Sequence, residues 1–262
     1  MEPPRKPLPT RVDETPDLPA SYETALLAGL LALGVRLDAD ERAAIDGHAR
    51  LLLVWTQAIN LTAIREPGVV ALGHVVDSLA ALGLLRDRGV ERFVDIGSGG
   101  GYPALPLAAA LPAARALLVE PISKKTAFLR TVIEAVGLQG NVEAAAVRAE
   151  TLAADPRHRG RWPAVTARAV AGLADLVELA FPLLRSGGIL VAWKRGDLAE
   201  ELAGARRAVD GLGGGRLEVV PVEVPGLAEH QLVVVTREGR VPAAYPRDPG
   251  LRKRRPWRPP GC

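Results

Sequence analysis

From Asp95 to Pro103 the chain reads Asp-Ile-Gly-Ser-Gly-Gly-Gly-Tyr-Pro, so Gly97, Gly99, Gly100 and Gly101 follow the run Phe93-Val94-Asp95-Ile96 and precede a helical pattern. Glycines at a strand-to-helix turn let the backbone approach a ligand closely, and the first N–H groups of the helix stay free to donate. Charged residues recur at the ends of later apolar runs: Glu120 after Leu117-Leu118-Val119, Glu150 after Arg148-Ala149, Arg168 after Ala167, and Lys194 after Trp193. The ends of parallel strands are where open α/β sheets bind ligands.

Three glycine-loop chemistries compete. A nucleoside-triphosphate loop needs Lys and then Ser or Thr after its last glycine, and Tyr102-Pro103 stands there instead. A dinucleotide fingerprint fits only as Gly99, Gly101 and Ala104, which begins three residues beyond the strand. A short-chain reductase needs Tyr with Lys four residues on, and Tyr22, Tyr102 and Tyr245 are followed at that distance by Leu26, Pro106 and Pro249. The remaining pattern, strand-Asp-x-Gly-x-Gly-x-Gly, is the S-adenosylmethionine loop. In it Asp95 and the backbone of Gly97, Gly99 and Gly101 hold the amino-acid end of the cofactor. Glu120 is then placed to accept hydrogen bonds from the ribose diol, and Ala149-Glu150 to meet the adenine edge. The plainer alternatives are a helix-entry carboxylate for Glu120 and a first-turn helix acid for Glu150.

The elements that must carry these residues follow from periodicity. Leu26, Leu27, Leu30 and Leu33 are spaced as on a helix that Gly34 stops, and a second helix opens on an Asp38/Glu41 capping box and runs through Ile45, Leu52 and Trp55. A third helix follows Pro67 and carries His74 and Asp77, neighbours on one face. Strands are then predicted near 92–96, 115–119, 142–147, 163–167 and 188–193, alternating with helices near 103–110, 123–137, 172–184 and 197–209. This is the pattern of a parallel sheet covered on both faces. Runs 216–224 and 231–236 are joined by a link too short for a crossover helix, so they must pair antiparallel. The predicted fold is a Rossmann-like α/β class I methyltransferase, a seven-stranded sheet with its last strand antiparallel, preceded by N-terminal helices.

The acceptor is read from which tools are present. A covalent route to pyrimidine C5 needs a cysteine nucleophile, and the only cysteine is Cys262 in the tail. Exocyclic amines are served by an Asn/Asp-Pro-Pro-aromatic turn after the fourth strand, where this chain has Ala167-Arg168-Ala169-Val170. A ribose hydroxyl needs a base, to which Lys194 is the candidate contributor. A ring nitrogen with an in-plane lone pair, such as guanine N7, loses no proton on attack, and positioning suffices. For Arg168 and Lys194 the structural alternatives are a salt bridge and a snorkelling surface stem.

The motifs Asn60-Leu61-Thr62, His74 with Asp77-Ser78, 95–108, 119–129, Ala167-Arg168-Ala169 and Ala192-Trp193-Lys194 resemble, in order and spacing, the ribosomal RNA small subunit methyltransferase G family, also called glucose-inhibited division protein B. The tail 240–257 is similar to the C-terminal segment of one branch of it, and the resemblance spans roughly residues 40–257. It implies methylation of N7 of one guanine in the 530 loop of 16S rRNA, with S-adenosylmethionine as cofactor, no metal, and 16S rRNA or the small ribosomal subunit particle as partner of a monomeric chain. It also implies cofactor contacts from Gly97, Tyr102, Ala149, Glu150 and Arg168. Arg168 and Tyr102 are the candidates to stack against or polarise the target base, and His74 and Asp77 to frame its pocket. The chain departs from the pattern at Tyr102, Ala104, Arg195 and His230-Gln231. Those departures motivate the alternative of a small-molecule or protein acceptor.

Composition bounds the rest. Of 262 residues, 33 are Lys or Arg and 30 Asp or Glu. Residues 237–262 hold eight basic and two acidic side chains, so a body of net charge −3 carries a tail of +6. That tail is expected to be an appendage adding phosphate contacts. The division expected is a disordered segment 1–20, a methyltransferase domain 21–236 whose helical extension is 21–90, and a basic, proline-rich tail 237–262. No signal-peptide pattern opens the chain, and Gly34, Arg36, Asp38 and Asp40 interrupt its richest apolar stretch, so a cytoplasmic protein without membrane spans is expected.

Overall fold

Period-two alternation along the strands divides the interior into two cores. Phe93, Ala116, Leu118, Ala164, Ile189, Val191, Trp193, Leu232 and Val234 point to one face of the sheet, among the N-terminal helices. Their immediate neighbours Val94, Leu117, Val119, Val165, Leu190, Ala192, Val233 and Val235 point to the other. Strands apolar on both faces are what a sheet covered on both sides requires. The computed structural model describes residues 7–257.

The strands are β1 (Arg92–Ile96), β2 (Arg115–Val119), β3 (Val142–Ala145), β4 (Trp162–Arg168), β5 (Leu184–Arg195), β6 (Gly215–Pro221) and β7 (His230–Arg237). They form one sheet in the order β3-β2-β1-β4-β5-β7-β6. β7 runs antiparallel to both neighbours, with Trp193 opposite Leu232 and Val219 opposite Val233, and the other pairings are parallel. The predicted class I methyltransferase fold is therefore the one observed. Strand order reverses between β1 and β4, which opens a crevice at their carboxyl ends.

α1 (Ala20–Leu33) ends on Gly34 in the left-handed conformation, and α2 (Ala39–Trp55) opens on the Asp38 capping box, with Glu41 N donating to Asp38 Oδ1 at 2.8 Å. α3 (Pro67–Asp87) widens into a π-helical turn over Ala71–Val76 and brings Gly73, His74 and Asp77 to the crevice. The crossovers are α4 (Ala104–Ala110), α5 (Ser123–Ala135), α6 (Ala149–Ala154), α7 (Leu173–Ala180) and α8 (Ala199–Gly211). A last helix, α9 (Pro249–Arg254), follows β7.

Three expectations need correction. Residues 7–19 of the supposed disordered segment are docked: Trp55 Nε1 donates to Pro9 O at 2.8 Å, Arg50 to Thr15 O at 2.5 Å, and Val12 and Leu18 pack on the first core. Proline-rich composition disfavours a long helix, but α2 supplies donors to the carbonyls of this segment, which makes a single 3-10 turn at Val12–Glu14. Residues 1–6 of that segment lie outside the described residues. α3 is long and apolar enough to cross a membrane, although no stretch of the sequence was expected to be. Val70, Val75, Val76, Leu79 and Leu82 on it are nonetheless buried in the first core, as in a core helix. The tail is no free appendage: Val241 is buried and Tyr245 and Trp257 pack against the second core. Its last five residues, with Arg258 and Cys262, lie outside the described residues.

Candidate active site

The carboxyl ends of β1, β2, β4 and β5, the stretch after β3, and α3 line one cleft of about 880 Å³. On the β1–β2–β3 side the wall is largely backbone. Gly97 N and Ser98 N both donate to Val119 O, at 2.8 and 3.2 Å, and Gly101 N to Ser98 O at 2.7 Å. Gly97 has φ +71°, and a Cβ there would lie 2.6 Å from Val170 Cγ2, so only glycine lets the loop sit this close to the turn after β4. Glu120, 4% exposed, locks the loop: Oε2 accepts from Gly99 N at 3.0 Å and Oε1 from Ile122 N at 2.9 Å. Ala149 and Glu150 line the far end, where Arg252 of α9 donates to Glu150 Oε1.

Asp95 and Gly101 do not reach the cleft lining; the sequence placed both against the cofactor. Asp95 lies under the loop, where Thr166 Oγ1 donates to its Oδ1 at 2.6 Å, and burial pushes its carboxyl up to about 6. Gly101 faces Leu105 and His48. Both residues shape the loop from beneath.

The opposite wall is a polar network. Arg168 Nη1 donates to Asp77 Oδ2 at 2.9 Å and to Gly73 O at 3.0 Å, while Nη2 lies 3.0 Å from His74 Nδ1. His230 Nδ1 donates to Asp77 Oδ1 at 2.8 Å, and Trp193 Nε1 to the Asp77 carbonyl at 2.7 Å. Because a guanidinium only donates, His74 Nδ1 is the acceptor and its Nε2–H points to Thr62 Oγ1, 2.7 Å away. Burial, then the Arg168 charge, lowers His74 to about 4, so it is neutral. Tyr102 is stacked between the rings of His48 and His74, with centroids 4.3 and 4.8 Å away, and burial raises its hydroxyl above the usual phenol range. Lys194 Nζ donates to Glu201 Oε2 at 2.6 Å and Ala171 O at 3.0 Å. Ala169, with φ +56°, is the only non-glycine among the described residues held at positive φ, and it joins Arg168 to Val170.

Arg168, Lys194, His74, Asp77, Tyr102, Gly97, Gly99, Glu120, Ala149 and Glu150 thus share one cleft. Sequence reasoning missed three contributors. His48 donates from Nε2 to Gly100 O at 2.7 Å, and burial lowers it to about 3. Its signal was a lone histidine on the apolar face of α2. His230 and Arg252 come from the far end of the chain: Arg252 carried no local signal, and His230 stood out only as a departure from the family pattern.

The sheet order, the glycine loop after β1 and the acid ending β2 define an S-adenosylmethionine-dependent methyltransferase. The O-methyltransferase from Bacillus cereus, solved in complex with SAH, has the same fold: TM-score 0.52, 17% identity, 82% of this chain and 99% of that one. The family model for rRNA small subunit methyltransferase G matches residues 41–230. Proteins named ribosomal RNA small subunit methyltransferase G are 41% identical in Roseiflexus sp. strain RS-1, over 88% of this chain and 98% of the relative, and 40% in Chloroflexus aggregans, over 89% and 98%. This chain belongs to that family.

Proposed function

We propose that the protein is a cytoplasmic enzyme that transfers a methyl group from S-adenosylmethionine to N7 of a single guanine in the 530 loop of 16S rRNA. Family membership supports the ribosomal substrate. The observation that carries the choice of atom is the bonding state of the acceptor wall. Both Asp77 oxygens are engaged, by Arg168 and His230, and the His74 Nδ1 lone pair faces Arg168. Lys194 Nζ donates to Glu201, and burial favours the protonated Tyr102 hydroxyl. Among the described residues, no group on this wall is poised to remove a proton.

When bound, S-adenosylmethionine supplies a methyl group on a positively charged sulfur, and its transfer to a nitrogen with a free lone pair releases no proton. The chain's own work is then binding and alignment. Gly97, Gly99 and Glu120 hold the cofactor's amino-acid and ribose portions, and Ala149-Glu150 its adenine. Arg168, paired with Asp77, presents its guanidinium plane to a guanine splayed out of the loop, as RNA recognition commonly requires, and Tyr102, covered on both faces by His48 and His74, backs that wall. Exposed Arg148 and Arg195 at the cleft mouth, with Lys253, Arg254 and Arg255 of the tail, offer phosphate contacts.

The test is transfer from methyl-labelled S-adenosylmethionine to purified small subunits and to naked 16S rRNA, followed by digestion to nucleosides. Label in N7-methylguanosine is expected. Label in another nucleoside, or only in protein or small molecules, refutes the assignment.

A further inference from the structure

The segment after β7 folds back over the helices that cover the second core. Arg159 ties it down by donating to Tyr245 O at 2.7 Å and Pro242 O at 3.1 Å. Glu178 of α7, fully buried, is its anchor: Arg247 donates from its backbone N at 2.8 Å, from Nε at 2.9 Å and from Nη2 at 2.5 Å, and Trp257 Nε1 donates at 2.7 Å. The Arg247 guanidinium also lies 5.0 Å from the Trp257 ring centroid. Burial pushes the Glu178 carboxyl up, but Arg247 and Trp257 outweigh it and leave it below the usual range.

This anchorage delivers one side chain to the cleft. α9 is capped by Asp248, whose Oδ1 accepts from Gly250 N at 2.8 Å, and it carries Arg252 onto Glu150 Oε1. The Arg252 side chain is 11% exposed and that of Glu150 20%, and both line the cleft. A glutamate reaching a ligand from a short helix has a flexible stem, and fixing it costs rotamer entropy. A guanidinium bonded to one oxygen removes that freedom before the ligand arrives and leaves the other oxygen to accept. The basic tail therefore divides. Arg237, Arg247 and Arg252 bond to carbonyls and carboxylates of the domain, while Arg240, Lys253, Arg254 and Arg255 face solvent.

We propose that Arg252 is a positioning residue of the cofactor site, holding Glu150 so that its carboxylate accepts from the exocyclic amine of adenine, and that the C-terminal segment is part of the cofactor pocket. This rests on the reading of the cleft as an S-adenosylmethionine site.

The test is calorimetric titration of the full chain with S-adenosylhomocysteine and with S-inosylhomocysteine, which has a carbonyl in place of the amine. The parent binds the adenosyl compound more tightly. Arg252→Ala weakens that binding about tenfold, the effect of one charge-assisted hydrogen bond, and brings the two ligands towards equal affinity. Arg252→Lys recovers part of the loss. In a Glu150→Gln background, Arg252→Ala adds less than twofold, because its effect passes through the carboxylate. Unchanged or tighter binding by Arg252→Ala, an unaltered preference between the ligands, or a full additional loss in the Glu150→Gln background would each overturn the proposal. A parent that binds neither ligand overturns the cofactor reading itself, and the inference with it.

Discussion

The two walls of the cleft are built in opposite ways. The wall under the glycine loop comes from neighbouring strands and is held by bonds from loop N–H groups, Gly97 N to Val119 O and Gly99 N to the Glu120 carboxylate, over about twenty residues of chain. The facing wall joins α3, β4, β5 and the start of β7, and its key pairs, Asp77 with Arg168 and Asp77 with His230, are 91 and 153 residues apart. One wall is a local motif presenting peptide groups. The other is a side-chain network that exists only in the folded chain. In the proposed function the difference separates their tasks: a backbone cradle for the cofactor, and a side-chain surface for the base.

The largest expected effect is at the centre of the network. Asp77→Ala leaves the Arg168 cation, and His230, without their carboxylate. Stability is expected to drop by about 3 kcal/mol in chemical denaturation, because breaking a buried pair strands a charge. Methyl transfer should drop at least about a hundredfold, while affinity for S-adenosylhomocysteine stays within a few-fold. Equal loss of both would erase the distinction between the walls. Glu120→Ala is the complement: cofactor affinity weakens about tenfold to a hundredfold by calorimetry with little change in the melting of α3. Retained affinity would show that Glu120 serves only the loop.

Buried groups around the cleft also titrate with opposite sign. His48 and His74, at about 3 and 4, stay neutral in the fold and gain protons near 6.5 once unfolded. Their contribution to stability is therefore present above about 6.5 and is lost as pH falls through those lowered values. Asp95, pushed up to about 6, contributes below the ordinary carboxylate range near 4, and that contribution is lost as pH rises through about 6. Near pH 5 the unfolded chain holds two protons on these groups and the folded chain one. Stability should then rise by about 1.4 kcal/mol per pH unit from this trio. His74→Asn flattens that slope and Asp95→Asn steepens it; urea melts between pH 4.5 and 5.5, roughly the midpoint of this window, would show slopes moving the same way if the assignment were wrong. The smallest effect is at Ala169. Replacement by Gly relieves positive φ against greater unfolded-state freedom, for a net gain of about 0.5 kcal/mol. A measured loss would mean the Ala169 methyl packs more than its strain costs.

The same contrast explains what could be read from sequence. The strands near 92–96 and 115–119, the Asp38 capping box, the antiparallel β6–β7 pair and the glycine loop are short-range patterns, and all appear as expected. Arg168 and Asp77 were identified through motifs, but their mutual bond was not, because nothing local links them. His230 seemed to weaken the last-strand corner and instead completes the Asp77 network. The tail and residues 7–19 were misjudged for one reason: proline and charge content describe a chain in isolation, while Glu178, Arg159, Arg50 and Trp55 supply its partners from elsewhere.

The function itself is tested most directly by mapping N7-methylguanine along 16S rRNA from cells that have the protein and cells that lack it. The proposed activity predicts one modified guanine in the 530 loop that disappears with the protein and returns with the parent chain but not with Asp77→Ala. The same mark present in both kinds of cell would contradict it.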